Sequence, residues 1–327
     1  MPQPSPSTVS EAKSIANRLP ELTILLAAPR GFCAGVRRAV QAVRDALQHH
    51  GSPVYVRRAI VHNLDVVREL EREGAIFIQE VEDAPAGSVI IFSAHGVAPS
   101  VADDARARGL KAYDAVCPLV AKVHREVERH YRDGRRVILI GHEGHPEIRG
   151  TLGHIPESAA ILVNSLEDID RIDISDDIPL AYAVQTTYSV DDAASLIDAL
   201  RVRFADLVGP HSSDICYATT NRQTAVRALA IRAQAVIVVG EQFSSNARRL
   251  AEVASGYCSA VQLVADAGQL DWSQLPAGGC VGITAAASTP ESSVDGIINA
   301  LAARYDVRVG EVDAATETTV FKAMAVG

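Results

Sequence analysis

Short apolar runs recur along this chain, each followed by a loop of small or polar residues and then by an amphipathic stretch. Residues 22–28 lead into Gly31-Phe32-Cys33-Ala34-Gly35, and 89–92 into Ser93-Ala94-His95-Gly96. Residues 137–140 lead into Gly141-His142-Glu143-Gly144-His145-Pro146, 236–239 into the stretch 240–246, and 280–284 into Ala285-Ala286-Ala287-Ser288. Runs this short and this continuously apolar suit parallel strands covered by helices. The cores they build are aliphatic, since apolar residues make up 48% of the chain and aromatic ones only 5%. At 327 residues the chain exceeds what one hydrophobic core usually serves, so the pattern predicts several small α/β units instead of one long sheet. Ligands of such units bind beyond the carboxyl ends of the strands, where the polar loops collect.

Charge narrows what those loops bind. A formal net charge of -9 speaks against a broad nucleic-acid or anionic-membrane surface, while leaving room for a locally positive pocket. Residues 1–20 are rich in Pro, Ser and charge and lack an apolar signal core, and the run 22–29 is far too short to span a bilayer. The chain is therefore expected in the cytosol, with residues 1–21 as a disordered extension. Its five cysteines are then expected as reduced ligands, nucleophiles or packing residues and not as disulfides.

Three cysteines share a local context. Cys33 precedes the helical stripe Val36, Val40, Val43 and Leu47, and Cys117 is followed by Pro118, a favoured first helical residue. Cys216 lies just upstream of Thr220-Asn221-Arg222-Gln223, which reads as a capping box opening a helix. Helix starts favour thiolate over thiol, as metal ligation requires. A lone cysteine is by default a packing residue, and Cys258 and Cys280, which lack the context, are read so. No C-x-x-C pair of the kind that holds structural zinc occurs. Three thiolates suit a cluster with one iron left free of protein ligands, which could act as a Lewis acid. A zinc centre with water in the fourth position stays open.

The polar loops carry His62, His95 and His145, together with Ser244-Ser245-Asn246, Ser288 and Gln185-Thr186-Thr187. A single histidine is more often a hydrogen-bonded structural residue; several at strand ends beside hydroxyls and amides resemble an anion pocket. Lys and Arg are nearly absent from these loops, which fits a small enclosed diphosphate. Glu147, beside His145, is a candidate proton donor if its pKa is raised there; the plainer reading is a surface helix cap.

Taken together and in order, these motifs closely resemble the LytB-type iron–sulfur reductases, the 4-hydroxy-3-methylbut-2-enyl diphosphate reductases that complete the non-mevalonate isoprenoid pathway. The matching stretches include Ala27-Ala28-Pro29-Arg30-Gly31-Phe32-Cys33-Ala34-Gly35-Val36, Ile60-Val61-His62-Asn63, Phe92-Ser93-Ala94-His95-Gly96-Val97 and Asp114-Ala115-Val116-Cys117-Pro118. They continue through Gly141-His142-Glu143-Gly144-His145-Pro146-Glu147, Gln185-Thr186-Thr187 and Asp214-Ile215-Cys216-Tyr217-Ala218-Thr219-Thr220-Asn221-Arg222-Gln223 to Val281-Gly282-Ile283-Thr284, covering roughly 22–302.

The resemblance implies a trefoil of three similar small α/β domains around a central iron–sulfur cluster. One domain would combine 22–34 with 215–302, the others would span 35–117 and 118–214, and 303–327 would be a C-terminal tail. A cluster of the 4Fe-4S type would be held by Cys33, Cys117 and Cys216. Glu147, with Thr186 and with His145 on its substrate side, would supply the proton that lets the allylic hydroxyl leave as water. The implied substrate contacts are His62, His95, His145, Thr186, Thr187, Ser244, Ser245, Asn246 and Ser288. Two electrons from ferredoxin or flavodoxin would yield isopentenyl or dimethylallyl diphosphate.

Three departures touch the surroundings of that site. Arg58-Ala59 stands where the family usually has His-Glu, Gln242-Phe243 and Ala247 where it commonly has Lys-Asn and Ser, and Ala286 replaces a usual glycine. The missing charge at 242 is expected to weaken diphosphate binding. Two other readings compete: a non-catalytic or specialised cluster paralogue such as a redox sensor, which would need only the cysteines, and a zinc-dependent hydrolase.

Overall fold

The apolar runs become strands of three separate parallel sheets in the computed structural model, which describes residues 19–175 and 178–327. Residues 1–18, most of the expected N-terminal extension, lie outside the described residues. The first sheet opens with β1 (Glu21–Ala28), and the chain leaves it through α1 (Ala34–His50). A second sheet follows: β2 (Val54–Arg57), α2 (Leu64–Glu73), β3 (Ala75–Ile78), β4 (Val89–Phe92), α3 (Pro99–Ala107) and β5 (Lys111–Asp114). Helix α4 (Pro118–Arg132) leads to a third: β6 (Arg136–Ile140), α5 (Pro146–Leu152), β7 (Ala160–Val163), α6 (Leu166–Asp170), β8 (Leu180–Val184), α7 (Val190–Arg203) and β9 (Leu207–Val208). Helix α8 (Tyr217–Ala230) returns the chain to the first sheet, completed by β10 (Ala235–Val239), α9 (Ser245–Ser255), β11 (Val261–Val264), β12 (Gly279–Ala285), α10 (Glu291–Ala302) and β13 (Asp306–Asp313). The trefoil expected from the resemblance is thus present as three α/β units.

Every residue of β8 and of β10 is buried, as a strand covered on both faces requires. In the first sheet Ile24, Ile237 and Ile283 face Val294, Ile297 and Leu301 of α10, while Val236 and Val238 face Val226, Leu229 and Leu250 on the other side. Each such side chain contributes roughly 1.5–3 kcal/mol by leaving water.

Strand order decides where the loops go. The second sheet runs β3-β2-β4-β5 and the third β7-β6-β8-β9. In each, the connection after one central strand moves to one side and that after the other central strand moves to the opposite side. The first sheet, β11-β10-β12-β1-β13, does the same between β10 and β12. Each unit therefore has one switch point, where two loops diverge and open a crevice. The crevices receive His62 and His95, then His145, Glu147 and Thr186, then Ser244–Asn246 and Ser288.

Two local expectations change. The helix after Cys216 begins at Tyr217, earlier than a Thr220…Gln223 box predicts, with Cys216 itself as the N-cap. Gln223 is buried inside that helix and joins it to the third unit, accepting from Val190 N at 3.1 Å and donating to Tyr188 O at 3.1 Å. The segment 303–327, expected as a tail, contains β13, which pairs with β1 from Glu21↔Asp306 to Ala28↔Asp313. Its strand alternates apolar and charged residues, a weaker signal than the continuous apolar runs elsewhere. Beyond it, Met324 and Val326 pack on the core of the second unit. Among the described residues, no helix is long and apolar enough to cross a membrane.

Candidate active site

The cysteines stand at the joints between units. Cys33 links β1 to α1, Cys117 links β5 to α4 and Cys216 links β9 to α8, each as the residue capping its helix. The Cys33 Sγ accepts from Val36 N and the Cys216 Sγ from Thr219 N, both at 3.4 Å. All three are free and line a single pocket of about 680 Å³ that includes its open mouth. A side chain at Gly35 would place its Cβ 2.7 Å from the Cys117 Sγ and 3.8 Å from the Cys33 Sγ, so only glycine leaves that space clear. The expected thiolate preference is overridden at Cys117 and Cys216. Burial, against opposing backbone N–H bonds and reinforced by the neighbouring thiols, pushes Cys117 up to about 12 and Cys216 up to about 11. Thiolates in such a site form when a metal group displaces the protons.

The loops from the switch points line the same pocket. The rings of His62 and His95 are 4.1 Å apart, and His145 lies 5.4 and 5.9 Å from them. Burial, with the Arg248 charge, lowers His62 to about 4. Burial and the other histidines take His145 to about 3 and hold His95 well below its ordinary value. The cluster is thus three neutral imidazoles. His145 Nδ1 accepts from Glu147 N at 3.2 Å, which puts the ring proton on Nε2. That Nε2, the Nε2 of His62 and the Nδ2 of Asn246 are buried without a partner. Asn246 is fixed by its Oδ1, which accepts from Ala287 N at 2.9 Å, and Ser288 Oγ holds the His62 loop by donating to its carbonyl at 3.0 Å. Unpaired buried polar groups are costly, about 1–3 kcal/mol each, and the convergence of these three, two of them donors, in one pocket marks a place kept for a polar ligand.

Glu147 is 2% exposed, which excludes the surface-cap reading. Its Oε1 accepts from Thr186 N at 2.6 Å and its Oε2 from Thr186 Oγ1 at 2.8 Å. Burial outweighs those bonds and, with the nearby Asp214 charge, raises the carboxyl to about 7. A group so poised holds a proton near neutrality and releases it readily. Thr187 Oγ1 accepts from Gln185 Nε2 at 2.7 Å and donates to Ser245 Oγ at 3.4 Å, while Ser244 caps α9. Every site residue expected from the sequence therefore lines this one pocket.

Gly35 and Asp214 were not singled out in the sequence. A glycine two residues after the first cysteine, and an aspartate two residues before the third, were their visible signals. Of the departures, Phe243 sits at the rim with its ring 5.8 Å from His62, but Gln242 points away and donates to Leu263 O at 2.7 Å. Position 242 therefore does not face the pocket, contrary to expectation. Arg58 turns outward to Glu80, at 2.8 Å. Among the described residues no group of three or more His, Cys, Asp or Glu side chains closes on a single metal ion. The three thiols share one cavity.

Fold and site define a class: a three-unit α/β protein that gathers three cysteines, a raised carboxyl and unpaired neutral polar groups in one cavity. Residues 24–302 match the family described as LytB protein, and the chain belongs to that family. It is 50% identical over 307 residues to the 4-hydroxy-3-methylbut-2-enyl diphosphate reductase of Paracoccus denitrificans, covering 94% of this chain and 97% of the relative. The enzyme of that name from Roseobacter denitrificans is 51% identical, with 93% and 96% covered. The solved E-1-hydroxy-2-methyl-but-2-enyl-4-diphosphate reductase from Plasmodium falciparum superposes with a TM-score of 0.87 at 35% identity, over 94% of this chain and 96% of that one.

Proposed function

We propose that this chain is an iron–sulfur reductase that converts (E)-4-hydroxy-3-methylbut-2-enyl diphosphate to isopentenyl and dimethylallyl diphosphate, with Cys33, Cys117 and Cys216 as its cluster ligands. Family membership and the shared name of its relatives support the reaction. The observation that carries the assignment of roles is Glu147, a buried carboxyl raised to about 7 in the same pocket as three cysteines and three unpaired polar nitrogens. Three soft donors around a space cleared by Gly35 fit a 4Fe-4S cluster with one iron lacking a protein ligand. Such a cluster, when bound, supplies two electrons singly and a Lewis acid for the allylic oxygen.

The chain's own residues bind the substrate and deliver the proton. His62, His95, His145, Ser244, Ser245, Asn246 and Ser288 take the diphosphate, whose oxygens satisfy the free Nε2 and Nδ2 groups. Thr186 holds both carboxyl oxygens of Glu147 and thereby aims its proton at the departing hydroxyl. Thr187 and Gln185 brace the Ser245 side of the pocket. Overall, two electrons and two protons enter, the C–O bond breaks and one water leaves. Ferredoxin or flavodoxin is the proposed donor class, and the cytosol the proposed setting. We take 35–117, 118–214, and 22–34 with 215–302 as the three domains.

Anaerobically purified protein is expected to contain iron and acid-labile sulfide and to turn over the hydroxylated diphosphate with reduced viologen. A loaded protein that releases neither isomer would favour the sensor reading. A colourless protein containing zinc and no iron would favour the hydrolase.

A further inference from the structure

A basic residue follows each of the three joint cysteines at nearly the same spacing: Arg38 five residues after Cys33, Lys122 five after Cys117, Arg222 six after Cys216. About one and a half helical turns carry each side chain away from its own cysteine and towards the next joint. Arg38 Nη1 donates to Val116 O at 2.9 Å, the carbonyl just before Cys117. Lys122 Nζ donates to Ser212 O at 2.8 Å, Ser213 O at 3.1 Å and Asp214 Oδ1 at 3.1 Å, on the approach to Cys216. Arg222 closes the circle, donating from Nε and Nη2 to Gly31 O at 3.1 and 2.7 Å, two residues before Cys33. The first cysteine helix thus grips the approach to the second cysteine, the second grips the third, and the third grips the first.

The ring is firmly anchored. Arg222 is 0% exposed, and its Nη1 also donates to Ala218 O at 3.0 Å and to Glu317 Oε1 at 2.8 Å. The Asp214 side chain is fully buried, and its second oxygen accepts from Val184 N at 3.0 Å. Arg38 Nε donates to Lys322 O at 3.1 Å, and its charge also acts on Asp114, three residues before Cys117. None of the three cations lines the substrate pocket. Each contact spans one unit, tying the helix after one cysteine to the chain segment just before the next, so that the two thiols bracketing that unit are held at a fixed separation.

We propose that Arg38, Lys122 and Arg222 are positioning residues, a cyclic clamp that sets the three thiols at cluster spacing and keeps positive charge beside them. This rests on the reading that Cys33, Cys117 and Cys216 hold the cluster. Charged donors to carbonyls are the stronger class of hydrogen bond, and outer groups that orient ligands govern metal retention. Net charge and hydrogen bonding near a cluster also set its potential.

The test uses the loaded full-length protein, with iron release to EDTA and the midpoint potential both measured anaerobically. Arg38→Gln and Lys122→Met are expected to release iron roughly tenfold faster or more, and to move the potential to more negative values, since reduction adds negative charge. Arg38→Lys and Lys122→Arg are expected to restore both. The double variant Arg38→Gln/Lys122→Met is expected to fall short of the product of the single effects, because a ring opened once is already open. Should Arg222→Met not fold, Arg222→Met with Glu317→Leu removes the buried pair together and carries the same expectation. Wild-type release rates and potentials in the neutral variants would overturn the clamp alone. A wild-type protein that binds no iron would sink the cysteine reading first, and the clamp with it.

Discussion

The joints and the switch points meet in one pocket yet are built on opposite terms. At the joints the polar side chains are paired: Arg222 places its donors on Gly31 O, Ala218 O and Glu317, and Lys122 on two carbonyls and Asp214. At the switch points His62 Nε2, His145 Nε2 and Asn246 Nδ2 are buried and unpaired. Full satisfaction fixes geometry, which a rigid inorganic group demands of its ligands. Unsatisfied polar groups cost stability that a bound ligand restores, a role the proposed function gives to the diphosphate. The contrast separates a holding side from a binding side, and mutations should respect the boundary.

The sharpest break of that division comes from the cysteines. Cys33→Ser, Cys117→Ser and Cys216→Ser are each expected to abolish cluster retention, because hard alkoxide replaces soft thiolate. Cys258→Ser and Cys280→Ser should keep full iron content and activity, as Cys258 is packed in the first unit's core and neither residue lines the pocket. Iron and sulfide analysis decides it; cluster loss from either of the last two with retention in any of the first three defeats the assignment.

Next in size is Glu147→Gln, expected to lower kcat by roughly 10²–10⁴-fold while keeping the cluster and diphosphate affinity. The wild-type rate should also fall as pH rises through about 7, where burial sets the Glu147 carboxyl and the donor form is lost. Steady-state kinetics across pH, with a viologen donor, would contradict this by showing near-normal kcat in the variant.

On the binding side, Asn246→Ala removes one unpaired donor and its tie to Ala287 N. Affinity for inorganic diphosphate, measured by calorimetry, should weaken roughly tenfold to hundredfold, corresponding to about 1–3 kcal/mol. Iron content should be unchanged; loss of iron with the affinity would erase the boundary between the two sides.

A smaller effect is expected from pH on the cluster-free protein. His62 and His145 are lowered to about 4 and about 3, so between those values and about 6.5 the unfolded chain binds protons that the folded chain does not. Stability contributed by these neutral rings is therefore complete above about 6.5 and declines as pH falls towards 4. Urea unfolding at several pH values should show a shallower acid decline in His62→Gln than in wild type; identical slopes would mean that His62 does not contribute. Smallest of all, Phe243→Asn is expected to change KM by less than about threefold and Gln242→Lys not at all, since Gln242 faces Leu263 O outside the pocket.

Much of this protein could be read from residue order. Continuous apolar runs such as 89–92 and 236–239, bounded by polar loops, suit strands buried on both faces, which puts the small and polar residues after them at strand ends. Helix-capping cysteines and the Glu147 and histidine loops were visible for the same reason: local backbone geometry and side-chain chemistry act over a few residues. The tertiary structure alone decided what spans long stretches of chain. Thr186 lies 39 residues from Glu147, and whether that carboxyl is a surface cap or a buried proton donor depends on burial that no neighbour in sequence reports. The outward turn of Gln242, the pairing of β13 with β1, and the grip of Arg222 on Gly31 are likewise products of strand order and packing. A side chain's charge state and partner are set by everything within a few ångströms, and in a three-unit parallel fold most of that neighbourhood comes from remote sequence.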